Sequence, residues 1–364
     1  MKVLIICDSF NIGGIQRLAL DQAYGLADRG ILGEILVMSS RDIAKSDSFE
    51  INESDLIKKH RVKITYLPGT RKEQLFYIKK MLSSMQYNKI FAHSLRGGVL
   101  TWILCKTFKY NVCVSTVIHQ LPSLSAPIQR FKRMLYSQFC DKLYIFSVAA
   151  KNDWLSNQKR NLFVKLFTSR RKVFVCRNGV YLPRLTQSFE GIDNFLELKR
   201  IIFIGRLTAW KGLTTFLKIA QLDEFKKQNF LIISPTEPHE FLKNLNDDVS
   251  NRITCITGKS VSQISFYSGD LLLYPAIFGG DFIEGVSINV LEMACIGVPS
   301  IISNGIDTWP ELATLEMLHV VNWTDTDSVA SLILNKYKFS SSDKILEARR
   351  LIDINNNLDI MLQN

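Results

Sequence analysis

Thirteen short apolar runs, rich in Val and Ile, recur along this chain of 364 residues, and few folds can accommodate them. In the first half they are Val3–Cys7, Ile35–Met38, Lys63–Leu67, Ile90–Ala92, Val112–Ile118, Leu143–Phe146 and Val173–Val175. In the second they are Ile201–Ile204, Phe230–Ile233, Ile253–Ile256, Leu271–Tyr274, Ser300–Ile302 and Leu318–Val321. A strand with one wetted face alternates apolar and polar residues. These runs barely alternate, so both faces are buried, as in a parallel sheet covered by helices. Helical spacing between them, such as Leu18, Ala19, Ala23 and Leu26, supplies the crossovers of right-handed strand–helix–strand units. The pattern predicts an α/β chain of two doubly wound domains. Pro183–Leu198, with Pro, Ser, Gly and Asn, breaks the pattern and is the expected linker. It divides the chain into domains 1–185 and 186–345, followed by a helical tail over 346–364. Asn355–Asn357 reads as a break before a last short helix.

Composition narrows the classes further. A chain that is 47% hydrophobic and 22% charged is not a disordered one. It holds no uninterrupted apolar stretch of about 18 residues to cross a bilayer. The apolar run after Met1 is too short for a signal peptide and reads as a buried strand. Seven scattered cysteines without a Cys-x-x-Cys pair suit reduced thiols in a cytoplasmic protein. Charge is uneven: residues 1–200 hold 32 Lys and Arg against 15 Asp and Glu, residues 201–364 hold 13 against 19. From Gln74 to Cys140 there are nine basic residues and no acidic one. The basic half suits an acidic partner, whether anionic lipid, a pyrophosphate-linked substrate or nucleic acid, or it is a solubilising surface. Pro127–Tyr136 could form a basic amphipathic helix at a membrane interface, or a core-facing helix with a basic outer side. No nucleic-acid module is readable.

In a doubly wound sheet, ligands gather at the carboxyl ends of the strands. After the first strand, Gly13 and Gly14 precede a helix; they either admit a ligand to backbone amides or make a plain tight turn. The segment is neither Gly-x-Gly-x-x-Gly nor a Walker loop. After Ile201–Ile204 come Gly205, Arg206 and Lys211, then a helix from Leu213. Two cations beside a helix N-terminus favour a phosphate or diphosphate, although two solvated cations on a loop would read alike. After Leu271–Tyr274 come Glu284 and, eight positions on, Glu292 in an apolar helix. A buried carboxylate needs a partner: the paired hydroxyls of a ribose or sugar, or a basic side chain. His119 ends the strand Val112–Ile118 and is either functional or structural; Asn178-Gly179-Val180 follows Val173–Val175 as a turn or a site.

Taken in order, these segments resemble the retaining glycosyltransferases of family 4, the group 1 glycosyltransferases of the GT-B fold, in which two Rossmann-like domains face a central cleft. The resemblance runs through the Gly13-Gly14 loop, His119, Ser147, Asn178-Gly179-Val180, Gly205-Arg206-Leu207, Lys211-Gly212, Glu284 and Glu292 with Gly297-Val298-Pro299, and Asn304-Gly305 through Pro310-Glu311. It implies an N-terminal acceptor domain, a C-terminal nucleotide-sugar domain and a tail packing back on the first. Arg206 and Lys211 would bind the donor diphosphate and stabilise the leaving charge, with no metal. The amides of Ser287 and Ile288 would add to that site. Glu292 would hold ribose hydroxyls, Glu284 and His119 would contact the sugar, and Gly13 and Gly14 would approach the donor. The expected donor is a UDP-sugar. The expected acceptor is a lipid-linked or oligosaccharide glycan of bacterial surface polysaccharide (O-antigen or capsule) synthesis. The expected place is the cytoplasmic face of the cell membrane, against its anionic lipids, with no nucleic acid bound. Gly285-Val286-Ser287 departs from the family's usual Gly-Phe-Gly, and Glu292-Met293-Ala294-Cys295 departs from its usual Glu-Ala-Met-Ala. A nucleotide-sugar epimerase on the same fold, or a non-catalytic basic binding protein, are the rival expectations.

Overall fold

The computed structural model describes residues 1–8, 14–31, 34–39, 62–67, 69–84, 87–119, 131–132, 135–136, 138–160, 173–188, 198–276, 284–335 and 341–363. Gly13 and most of the proposed helix over 127–136 lie outside the described residues. The chain divides into two units, one made of Met1–Tyr181, Asp281–Gly285 and Ile354–Asn364, the other of Leu182–Gly280 and Val286–Asp353.

In the first unit, strands β1 (Val3–Cys7), β2 (Glu34–Val37), β3 (Lys63–Tyr66), β4 (Lys89–Ala92), β5 (Cys113–Ile118), β6 (Lys142–Ile145) and β7 (Val173–Val175) form one sheet in the order β3-β2-β1-β4-β5-β6-β7. Every pairing is parallel. Helices α1 (Gly14–Asp28), α2 (Arg71–Ser84), α3 (Leu95–Thr107) and α4 (Val148–Arg160) connect them. All five residues of β1 are buried, as its unbroken apolar run requires. Order reverses at β1, so the switch point lies between β1 and β4.

The helix Ile354–Gln363 completes this unit. Leu358 and Met361 sit in one core with Val3, Ile5, Phe91 and Tyr144. Its start is tied down from three sides. Ile354 donates its N–H to the Val180 carbonyl at 3.0 Å. Arg29 bonds the Asn355 side chain at 3.0 Å and the Asp359 carboxylate at 2.7 Å. The Cys176 thiol donates to Asn357 Oδ1 at 2.9 Å. A side chain at Gly179 would bring its Cβ within 2.9 Å of Ile354 Cα, so the Asn178-Gly179-Val180 turn serves here as a seat for this helix. The asparagines therefore do not break the chain; they form the first turn of the helix. The break falls at Asp353, where the backbone is extended at φ −50° and ψ 127°.

In the second unit, β8 (Arg200–Ile204), β9 (Asn229–Ser234), β10 (Ile253–Thr257), β11 (Asp270–Tyr274), β12 (Ser300–Ser303) and β13 (Leu318–Val321) form a parallel sheet in the order β10-β9-β8-β11-β12-β13. Helices α5 (Leu213–Ala220) and α6 (Ile288–Cys295) follow β8 and β11 along the chain. Phe203, Phe216, Phe225 and Phe230 pack at its core, with Phe216 and Phe230 edge to face at 5.6 Å. Here the switch point lies between β8 and β11. Their register is pinned at the opposite end, where Arg200 grips the buried Asp270 through two hydrogen bonds, 2.9 and 2.5 Å. The expected linker is partly structured: Leu182–Ser188 forms a 3₁₀ helix with Leu185 fully buried, and residues 189–197 lie outside the described residues.

Candidate functional site

The turn after β8 is built so that one cation is held and another is left open. Gly205 extends the ladder to Ile233 at 3.0 Å, then Ala209–Lys211 makes a single 3₁₀ turn. Gly212 closes that turn at φ +81°, the left-handed region that favours glycine. Any Cβ there would lie 2.0 Å from the Pro275 carbonyl oxygen, just beyond β11. The loop is thereby drawn against the end of β11, and Lys211 becomes buried. Its ammonium donates to the Tyr274 hydroxyl and lies 4.0 Å above the Trp210 ring. Aromatic faces stabilise a desolvated cation without neutralising it. Arg206 is exposed, and among the described residues its guanidinium has no hydrogen-bond or ion-pair partner.

Helix α6 starts at Ile288 after Ser287, which does not cap it with its side chain. The first N–H groups of a helix lack intrahelical partners, so those of Ser287 and Ile288 stand available to an anion. One turn on, Glu292 is buried and ion-paired with Arg184 from the 3₁₀ helix Leu182–Ser188. The carboxylate thus has a basic partner, the second of the two roles its burial allowed. Glu284 opens the short extended pair Glu284–Gly285, which groups with the first unit.

In the first unit, β4 and β5 end on His93 and His119, at and beside the switch point. His93 Nδ1 and His119 Nε2 are hydrogen-bonded at 2.9 Å, with the rings nearly parallel at 19°. His93 Nε2 meets Gln22 Oε1 of α1 at 2.8 Å. Burial holds both imidazoles below their usual range, His119 at about 4. Beside them Ser94 caps α3 by accepting from Gly97 N–H at 2.8 Å and donates to Asp8 at 2.5 Å. Ser147, after β6, caps α4 by accepting from Ala150 N–H at 3.0 Å. Gly14 is the first residue of α1.

Each predicted position within the described residues thus falls at a strand end or the start of the following helix, save Glu292 inside α6. Sequence reasoning missed His93, Gln22, Tyr274 and Arg184. His93 and Tyr274 carried a usable signal, since each closes a strand beside a switch point. Arg184 carried none, because it lay inside the pattern-poor stretch read as linker.

Two doubly wound parallel units with these polar strand ends are the GT-B architecture. Residues 187–333 match the family profile of glycosyl transferases group 1. An uncharacterised glycosyltransferase of Haemophilus influenzae is 22% identical over 306 residues, covering 80% of this chain and 77% of that one. Among solved structures, Anabaena HepE in complex with UDP-glucose superposes with a TM-score of 0.71 at 14% identity, covering 100% of this chain and 98% of that one. The lipopolysaccharide outer core galactosyltransferase WaaB superposes at 0.65 with 13% identity, covering 99% of this chain and 100% of that one. Together these findings support a glycosyltransferase whose residues 187–333 are of the group 1 type and whose fold is GT-B.

Proposed function

We propose that the protein transfers a hexosyl or N-acetylhexosaminyl group from a UDP-sugar to a lipid-linked glycan, with retention of anomeric configuration, in bacterial surface polysaccharide synthesis. The observation that carries this reading is the turn after β8, where a buried Lys211 and an open Arg206 flank the switch point. In transfer, the bond from the anomeric carbon to the diphosphate breaks and its electron pair leaves on the phosphate oxygen. The acceptor hydroxyl takes its place on the same face and releases its proton. The departing charge is met by Arg206, Lys211 and the amides of Ser287 and Ile288, so no metal is required. Glu292 holds the ribose, and Arg184 keeps its carboxylate oriented. Glu284 and His119 contact the sugar, with Gly13 and Gly14 beside the donor. UDP-glucose in the HepE complex favours a uridine donor.

The acceptor side rests on the outer face of α2 and α3. Phe76 is 68% exposed, and Leu75, Ile103 and Phe108 are exposed as well. Lys72, Lys79 and Lys80 surround Phe76 at helical spacing, with Lys79 4.1 Å from the Phe108 ring. Aromatic and basic side chains on one face suit the interface of an anionic bilayer. This basic and aromatic face supports our placing the protein at the cytoplasmic membrane surface as a peripheral enzyme; among the described residues no helix is long and apolar enough to cross a membrane.

A thermal-shift panel of UDP-, GDP-, ADP- and dTDP-sugars without metal tests the donor. Ligand at about 100 times its Kd adds roughly 2.7 kcal/mol and raises Tm by a few degrees. A shift with UDP-sugars alone supports the reading; no shift with any donor overturns it.

A further inference from the structure

We propose that Gln22 and His93 are positioning residues that fix His119 in the tautomer whose Nδ1 accepts a hydrogen bond from a hydroxyl of the donor sugar. Gln22 Nε2 lies 3.4 Å from Met361 Sδ, and a thioether has no proton to give. The amide nitrogen must therefore face the sulfur, and Oε1 faces His93. An amide oxygen only accepts, so His93 carries its proton on Nε2, 2.8 Å away. A neutral imidazole with a protonated Nε2 has its lone pair on Nδ1. That lone pair faces His119 Nε2 at 2.9 Å, which must donate. His119 is left with Nδ1 unprotonated, and among the described residues this nitrogen has no hydrogen-bond partner.

Burial opposes protonation of either ring, which would break the sequence by adding a donor where an acceptor is needed. The four side chains come from α1, the ends of β4 and β5, and the helix Ile354–Gln363, so the order is imposed by the fold of one unit. A sugar hydroxyl can give its proton to Nδ1, whereas a phosphate oxygen cannot. His119 then serves a sugar hydroxyl rather than the diphosphate. The inference rests on the transferase reading for its ligand and on the hydrogen-bond sequence alone for its tautomer.

The two parts are measured separately. Long-range ¹H–¹⁵N spectra of histidine-labelled protein at neutral pH report each ring's tautomer without any substrate. The expected result is Nε2–H for both His93 and His119; Nδ1–H on His119 overturns the proposal. His93→Asn keeps an acceptor near the former Nδ1, and His93→Leu removes it. His93→Leu should lower kcat and UDP-sugar affinity about tenfold, the scale of one lost hydrogen bond, and leave UDP affinity unchanged. His93→Asn should stay within about threefold of the unmodified protein by the same measure. Equal losses in both variants, or a parallel loss of UDP affinity, would make His93 merely structural and overturn the proposal. Absence of nucleotide-sugar binding in the unmodified protein would instead sink the transferase reading and the sugar contact, whatever the tautomer.

Discussion

Arg206 and Lys211 stand five positions apart, yet the structure asks different things of them. Arg206 is exposed, so Arg206→Ala should leave unfolding free energy within about 0.5 kcal/mol of the unmodified protein. Its transfer rate should fall by about 10² to 10³, the usual loss on removing one donor from a developing anion. Gly212 should show the reverse order. A Cβ at φ +81°, 2.0 Å from the Pro275 carbonyl, costs about 2–4 kcal/mol in Gly212→Ala, read by urea unfolding, before any rate is measured. Equal stability of the two variants would refute this account of the turn. These residues were legible in the sequence because the turn is local, with cation, cation and glycine within seven positions. The Arg184–Glu292 pair was not legible, because the four strands β8 to β11 separate its partners in sequence. Removing Arg184 leaves a buried carboxylate without its cation, so Arg184→Met should cost about 3 kcal/mol or more. Adding Glu292→Gln should recover part of that loss. A double-mutant cycle by chemical unfolding measures the recovery, and strict additivity would mean that the pair is not coupled.

Among the elements, strands were the most readable. Each of the thirteen apolar runs corresponds to a strand; in the central strands burial on both faces leaves no room for polar alternation, whereas the edge strands β3, β10 and β13 are partly exposed. Elements held by distant contacts were not readable. The 3₁₀ helix Leu182–Ser188 has the composition of a linker and is fixed by Leu185 in the core and Arg184 on Glu292. The asparagines at 355–357 look like a break, yet their partners Arg29 and Cys176 lie far away in the chain. Helix α2 presents another case. Its inner residues Gln74, Ile78, Met81 and Leu82 are buried, which leaves Phe76 and the lysines outward. Phe76→Ser together with Phe108→Ser should lower sedimentation with vesicles of anionic lipid at least tenfold, roughly the loss of two interfacial aromatic side chains. Donor binding should not change. Neutral vesicles should bind weakly in either form, and raised salt should release the unmodified protein. Binding that ignores both the aromatic side chains and salt would remove this face as the membrane contact.

At the scale of the whole molecule, the chain leaves its first unit at Tyr181, rejoins it over Asp281–Gly285 and returns to it finally at Ile354. The returning helix is part of the core of that unit. Ile354, Leu358 and Met361 are fully buried, and burying such a side chain contributes about 1.5–3 kcal/mol. Three of them approach the whole stability of an ordinary domain, about 5–15 kcal/mol. Met361 also receives the Gln22 amide, so the same helix sets the hydrogen-bond order that reaches His119. A chain ending at Asp353 should therefore lose the first unit selectively. Hydrogen exchange should accelerate in β1, β2 and β6, whose side chains share a core with Leu358 and Met361, while protection in β8, β9 and β11 stays as it was. Uniform loss across both sheets would mean that the units do not unfold separately. Unchanged protection in β1 would mean that the helix merely rests on a unit already complete. The expected outcome makes the helix Ile354–Gln363 a structural component of the unit in which the chain begins.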